Sequence, residues 1–151
     1  MGFEFRVASD NTEMVKQQIR DKALVALDAA GMQVASLAKM ELQKSPQRVD
    51  TGLLRNSITH AVCGKPAAIG DYSADRPSQY SGKVPESGHY SGTAPAAESP
   101  DKPFVLVGSN TEYALYIHEG TARMAPNRFI TNAMRNNAPE LQKIIQNVLS
   151  Q

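Results

Sequence analysis

From Val15 to Met40 the chain repeats apolar or small side chains at helical spacing: Val15, Ile19, Ala23, Ala26, Ala30, Val34, Leu37 and Ala38 or Met40, preceded by the capping candidates Ser9, Asp10 and Asn11. Residues three and four apart share one face of an α-helix, so this stripe predicts a single long amphipathic helix. It should end near Lys44, because Pro46 forces Ser45 out of helical geometry. About 34 helical residues reach about 50 Å, longer than a domain of this size is wide. Part of such a helix must project or meet another subunit. Gly31, with Ala30 and Ala35 beside it, has two readings: a tolerated glycine costing about 1 kcal/mol, or a site of close helix crossing.

Around this helix the sequence predicts strands. Phe3, Phe5 and Val7 alternate with Glu4 and Arg6, and Ile58, His60 and Val62 alternate with Thr59, Ala61 and Cys63, the period of half-buried strands. Phe104 to Val107 reads as a short buried strand. A helical turn through Tyr113, Ala114, Tyr116 and Ile117 stops at Gly120, whose freedom at positive φ suits a helix end. Pro126 opens a last helical region carrying Phe129, Ala133, Leu141, Ile144, Ile145 and Val148; Pro139 should kink it, with Asn137 and Glu140 forming a fresh N-terminal cap. Between Gly64 and Lys102 no periodicity survives. This stretch reads as a long irregular insertion, a flexible arm whose Tyr72, Tyr80 and Tyr90 are candidates for binding a partner. The expectation is an α+β fold, a small antiparallel sheet packed against one long N-terminal helix, with a C-terminal helix and the insertion.

At 41% hydrophobic residues, 151 residues are enough for a single domain, 1–151, that buries its own core. A formal charge of +1 gives no overall field that would draw nucleic acid or an anionic membrane. Cys63 is the only cysteine, so a disulfide framework is excluded and a reducing compartment fits. No targeting segment or uninterrupted membrane-spanning run is expected.

Little in the chain points to catalysis. His60, His89, His118 and Cys63 lack zinc-site spacing, and His118-Glu119 has no second histidine four positions on, so neither a metal nor another cofactor is expected. A small hydrolase or nuclease using His60, His118 and Glu119 is one rival reading; a DNA-binding module using Arg55, Arg123 and Arg128 is another. Val49-Asp50-Thr51-Gly52-Leu53-Leu54-Arg55-Asn56-Ser57-Ile58 is better explained by backbone chemistry. Asp50 or Thr51 can accept from the free amides of the turn, Gly52 permits a tight entry, Leu54 and Ile58 point inward, and Arg55 is left to pair with Asp50 or Glu119. In the second dense stretch, Glu112 to Thr121, Tyr113 and Tyr116 offer apolar area with a polar tip.

With these residues in place the chain resembles a family of tailed-bacteriophage neck proteins, the head-to-tail joining or tail-completion group. Val49-Asp50-Thr51-Gly52 with Leu54-Arg55 and Ser57-Ile58 is similar to the family's V-D-T-G-x-L-R-x-S-I segment. Val107-Gly108, Glu112-Tyr113-Ala114, Tyr116-Ile117 and His118-Glu119-Gly120-Thr121 are similar to its V-G and E-Y-A-x-Y-V-H-E-G-T segments, and Pro126, Arg128 and Phe129 to its P-x-R-P-F opening of the last helix. The chain departs from the pattern where Arg128 meets Phe129 with no proline between, and at Pro139. The resemblance implies a non-enzymatic virion component, assembled in the cytoplasm of a bacterial host. It implies a ring of identical copies between connector or head-closure proteins and tail-terminator or tail-tube proteins, with DNA contact in the lumen left open and no membrane. Asp50, Thr51, Gly52, Leu54, Arg55, Tyr113, Tyr116, His118, Glu119, Gly120, Thr121, Arg128 and Phe129 are then its structural or interface residues.

Overall fold

A computed structural model describes residue 2 and residues 9–44, 48–80 and 85–151. The predicted strand at Phe3, Phe5 and Val7 and the stop at Pro46 lie outside these residues. The elements run α1 (Thr12–Glu41), α2 (Leu53–Ser57), β1 (Thr59–Val62), β2 (Asp71–Ser73), β3 (Ser87–His89), β4 (Val105–Gly108), α3 (Ala114–Glu119), α4 (Phe129–Asn136) and α5 (Ala138–Leu149). The long helix packs against a small antiparallel sheet, with helices following at the C-terminus.

Among the described residues only one end of α1 is buried. Ala26, Ala30, Gly31, Val34, Ala35 and Ala38 are buried, and nothing before Ala26 is. Met14, Val15 and Ile19 are 54%, 48% and 60% exposed. The covered end lies against the pair β1 and β4, which run antiparallel with His60 opposite Val107 and Val62 opposite Val105. The approach is close because Gly31 has no side chain. A Cβ there would stand 2.6 Å from Val105 Cγ2 and 2.9 Å from His60 Cδ2. Gly31 is a site of close approach, but to the sheet and not to a second helix as the crossing reading had it.

The main core gathers Ala35, Ala38 and Leu42 from α1, Leu54 and Ile58 from the α2 turn, and Phe129 and Ala133 from α4. Helix α5 lies along α1 with Leu141, Ile144, Ile145 and Val148 half-buried. The break at Pro139 is real, since α4 stops at Asn136 and α5 begins at Ala138. The expected cap is not formed, because both side chains have other partners. Asn137 Nδ2 donates back to Ala133 O at 2.9 Å, and Glu140 accepts from Gln33 Nε2 at 3.2 Å.

Two sequence expectations change here. The 64–102 insertion is not without regular structure: β2 pairs antiparallel with β3, Tyr72 opposite Gly88, and Pro66 bridges Thr93. These strands are three residues long, too short for alternation to register. Helix α1 also contains an 18-residue window of mean hydropathy 1.2 with at most two charges, long and apolar enough for a membrane span by length and composition; a third of that window is buried in the domain. Asp28 and Lys39 interrupt the run in sequence, but the small residues between them keep its average high.

Candidate interaction surfaces

The V-D-T-G turn is organised by its own backbone and by the insertion. Gly52 enters α2 at φ +87°, a left-handed conformation that favours glycine, and Thr51 Oγ1 accepts from Leu53 N at 3.2 Å. Leu53, Leu54 and Ile58 are buried, and Ser57 Oγ donates to Leu54 O at 2.8 Å. Asp50 does not cap this helix. Its carboxylate accepts from Ser78 Oγ at 2.5 Å and Gln79 N at 3.0 Å, and these bonds, helped by the Arg76 guanidinium, hold it below the usual carboxylate range.

Arg55 pairs with neither expected carboxylate. Its guanidinium meets Asp75 of the insertion, whose other oxygen accepts from Asn56 Nδ2 at 2.8 Å. Arg76 Nη2 donates to Val49 O at 2.9 Å and its Nε to Asp50 O at 2.5 Å, while the amides of Asp75 and Arg76 donate to Thr51 O. The motif is thus a clasp around residues 73–79 of the insertion. Asp75, Arg76 and Ser78 were missed in sequence because they sit in an aperiodic stretch, about twenty-five residues from their partners; the run of polar groups on the motif was the available signal.

The second motif splits into an inner and an outer face. Tyr113, Ala114 and Ile117 pack on the core, and burial pushes the Tyr113 hydroxyl above its usual pKa. Tyr113 also reaches the first motif, lining with Asp50, Gly52, Leu54 and Arg55 a hollow of about 110 Å³. Ligand pockets occupy roughly 300–1,000 Å³, so this hollow is a seam rather than a binding site. A larger cleft of about 680 Å³ runs between Thr51, Asp75, Tyr80 and Glu86, with no histidine or cysteine among the described residues of its wall. Facing outward, Leu115 and Tyr116 are 65% and 60% exposed.

His118 ties α3 to α4. Its Nδ1 lies 2.7 Å from Glu119 Oε1, its Nε2 3.3 Å from Thr131 Oγ1, and its ring meets Phe129 edge to face at 5.3 Å. Glu119 also faces Arg128 Nη2 at 3.6 Å. Gly120 turns the chain at φ +78°, where a Cβ would strike Met124 O and Pro126 N at 2.7 Å, and Thr121 N donates to Met124 O at 2.8 Å. His60 belongs to a different place: it is buried in the α1 seam with Nε2 3.0 Å from Asp28 Oδ1. No hydrogen bond among the described residues joins His60 to His118 or Glu119, and no group of three His, Cys, Asp or Glu among them is placed to hold a metal.

The insertion tyrosines take three positions. Tyr72 and Tyr90 stack against each other at 5.1 Å, and Tyr72 donates to Asn110 Oδ1 at 2.5 Å. The Tyr90 hydroxyl lies beside Ser57, and burial pushes its pKa up to about 12. Tyr80 is 74% exposed and is the tyrosine presented to solvent. Arg123, Arg128 and Arg135 are exposed. No family model, no curated protein and no solved structure matches this chain.

Proposed function

We propose that the chain is a structural component of a tailed-bacteriophage virion, forming or completing the head-to-tail junction as a ring of identical copies. The observation that carries this reading is the uncovered half of α1, where Val15 and Ile19 continue the stripe that is buried further along. Exposed apolar side chains aligned on one helix face mark an interaction surface. A ring of identical subunits requires two different faces that complement each other by rotation, and the outward side of α3 supplies a second apolar surface. Both sequence motifs act as joints: one clasps the insertion and the other seals α3 to the core. The exposed Tyr80 end of the insertion is then available to connector or tail proteins.

Light scattering of the purified chain across a concentration series should show a discrete oligomer, and electron microscopy of the virion should place its density at the neck. A protein that stays monomeric throughout, together with particles lacking that density, would rule the proposal out. The hydrolase alternative rests on His60, His118 and Glu119, yet His60 is 5% exposed and held by Asp28.

A further inference from the structure

Lys16, Ile19, Arg20 and Ala23 share one face of α1 at the spacing of neighbouring helical turns, and they wall a groove of about 270 Å³ against Pro100 and Pro103. The floor is apolar. Two cations stand on the helix side, and Asp101 on the other side leaves the groove with a charge of +1. Among the described residues the ion pair on this face joins Lys16 to Glu13, both exposed, a bond worth little in water and readily exchanged.

The outward side of α3 has the opposite character at the same spacing. Leu115 and Tyr116 stand three and four residues after Glu112 and four and three before Glu119, so an acid, two exposed apolar side chains and an acid make one stripe. Tyr113, just before α3, is in helical geometry at φ −86°, which brings Glu112 close to the helical face. Glu112 is exposed, and Glu119 is half-exposed with Arg128 Nη2 3.6 Å away, an exposed pair that exchanges as readily as Lys16 with Glu13.

We infer that the occupant of the α1 groove is the α3 stripe of a second copy of this chain. Leu115 and Tyr116 fill the space over Ile19 and Ala23, and Glu112 and Glu119 meet Lys16 and Arg20. Opposite charge and matched spacing favour this pairing over groove with groove or stripe with stripe, each of which sets like charges together. Within one chain the two surfaces do not meet. Helix α3 rests on the core around Ala35 to Leu42, about 28 Å along α1 from the groove. The contact is therefore heterologous, and a pair of copies is left with one free groove and one free stripe, the condition for growth into a ring.

This inference rests on the ring reading, and a pair of charge-reversed chains separates the two. Lys16→Glu with Arg20→Glu makes both surfaces acidic, and Glu112→Lys with Glu119→Lys makes both basic. Each variant alone should be monomeric by sedimentation velocity at a concentration where the natural chain is assembled, and a one-to-one mixture should assemble with alternating copies. Ile19→Asp, at an exposed position, should abolish assembly without touching α3, so the inference stays open to test even if the basic variant misfolds. Circular dichroism melts check folding in every case. Assembly by either reversed chain alone, a mixture that remains monomeric, or assembly of Ile19→Asp overturns the groove-to-stripe contact while leaving the ring in place. A natural chain that never assembles overturns the ring reading itself.

Discussion

The two ends of α1 carry one continuous stripe and meet opposite fates. Toward the C-terminus the stripe is built from Ala26, Ala30, Gly31, Val34, Ala35 and Ala38, all buried. Toward the N-terminus it uses Val15 and Ile19, both exposed. Small side chains let a helix axis approach a sheet closely, and Gly31 brings it near enough that a single methyl would not fit. Large side chains on a bare helix are solvated at a cost that only a partner removes. Periodicity alone does not separate the two ends, since Val34 is buried at one and Val15 exposed at the other; what covers each end decides.

The comparison breaks most directly at the core. Phe129 is 1% exposed, packed on the covered end of α1, and Phe129→Ala should lower unfolding free energy by about 3–5 kcal/mol in urea titrations. A loss under about 1 kcal/mol would mean that α4 is not a core element. Gly31→Ala should come next, at about 1–3 kcal/mol. The gain of about 1 kcal/mol in helix propensity is outweighed by overpacking against Val105 and His60. A stabilised variant would show that the sheet yields at this point.

Smaller effects test the insertion. Asp75→Ala should cost about 1 kcal/mol, because it removes the partner of a half-buried Arg55 and one bond to Asn56, and amide exchange should quicken over residues 73–79 before it does in α1. Uniform exchange rates would mean that the clasp does not hold the arm separately. The Tyr90 hydroxyl should remain protonated in the folded chain up to about pH 12, while the unfolded chain ionises it near 10. The folded state then binds more protons between these values, so the contribution is intact below pH 10 and is lost as pH climbs toward 12. Tyr90→Phe should flatten this alkaline decline. The smallest effect is at the bare end, where Ile19→Ala should alter monomer stability by no more than about 0.5 kcal/mol. A larger change would mean that the N-terminal half is already packed within the monomer.

Much of the fold was legible because strong periodic signals and local punctuation agreed. The stripe from Val15 to Met40, the β1 and β4 strands and the break at Pro139 each rest on residues adjacent in sequence. What was not legible depended on distant pairings. Arg55 carries no mark that selects Asp75 over Asp50 or Glu119, since any carboxylate satisfies a guanidinium and the fold decides which one arrives. Strands β2 and β3 are too short to alternate, and Asn137 was free to donate to Ala133 O because nothing in the sequence obliges it to cap. The two motifs were recognisable as structural, whereas the clasp that one makes around the insertion required the tertiary structure to bring residues 50 and 75 together.

Gly31 has one more consequence, and it is mechanical. An unbroken helix held along one end by the sheet, α4 and α5 is a lever, and the tightest point of that hold, its pivot against the sheet, is where Gly31 meets His60 and Val105, about 18 Å from Ile19. A sideways load at Ile19 is delivered to β1 and β4 as torque about that pivot, where no slack of even one methyl group exists to absorb it.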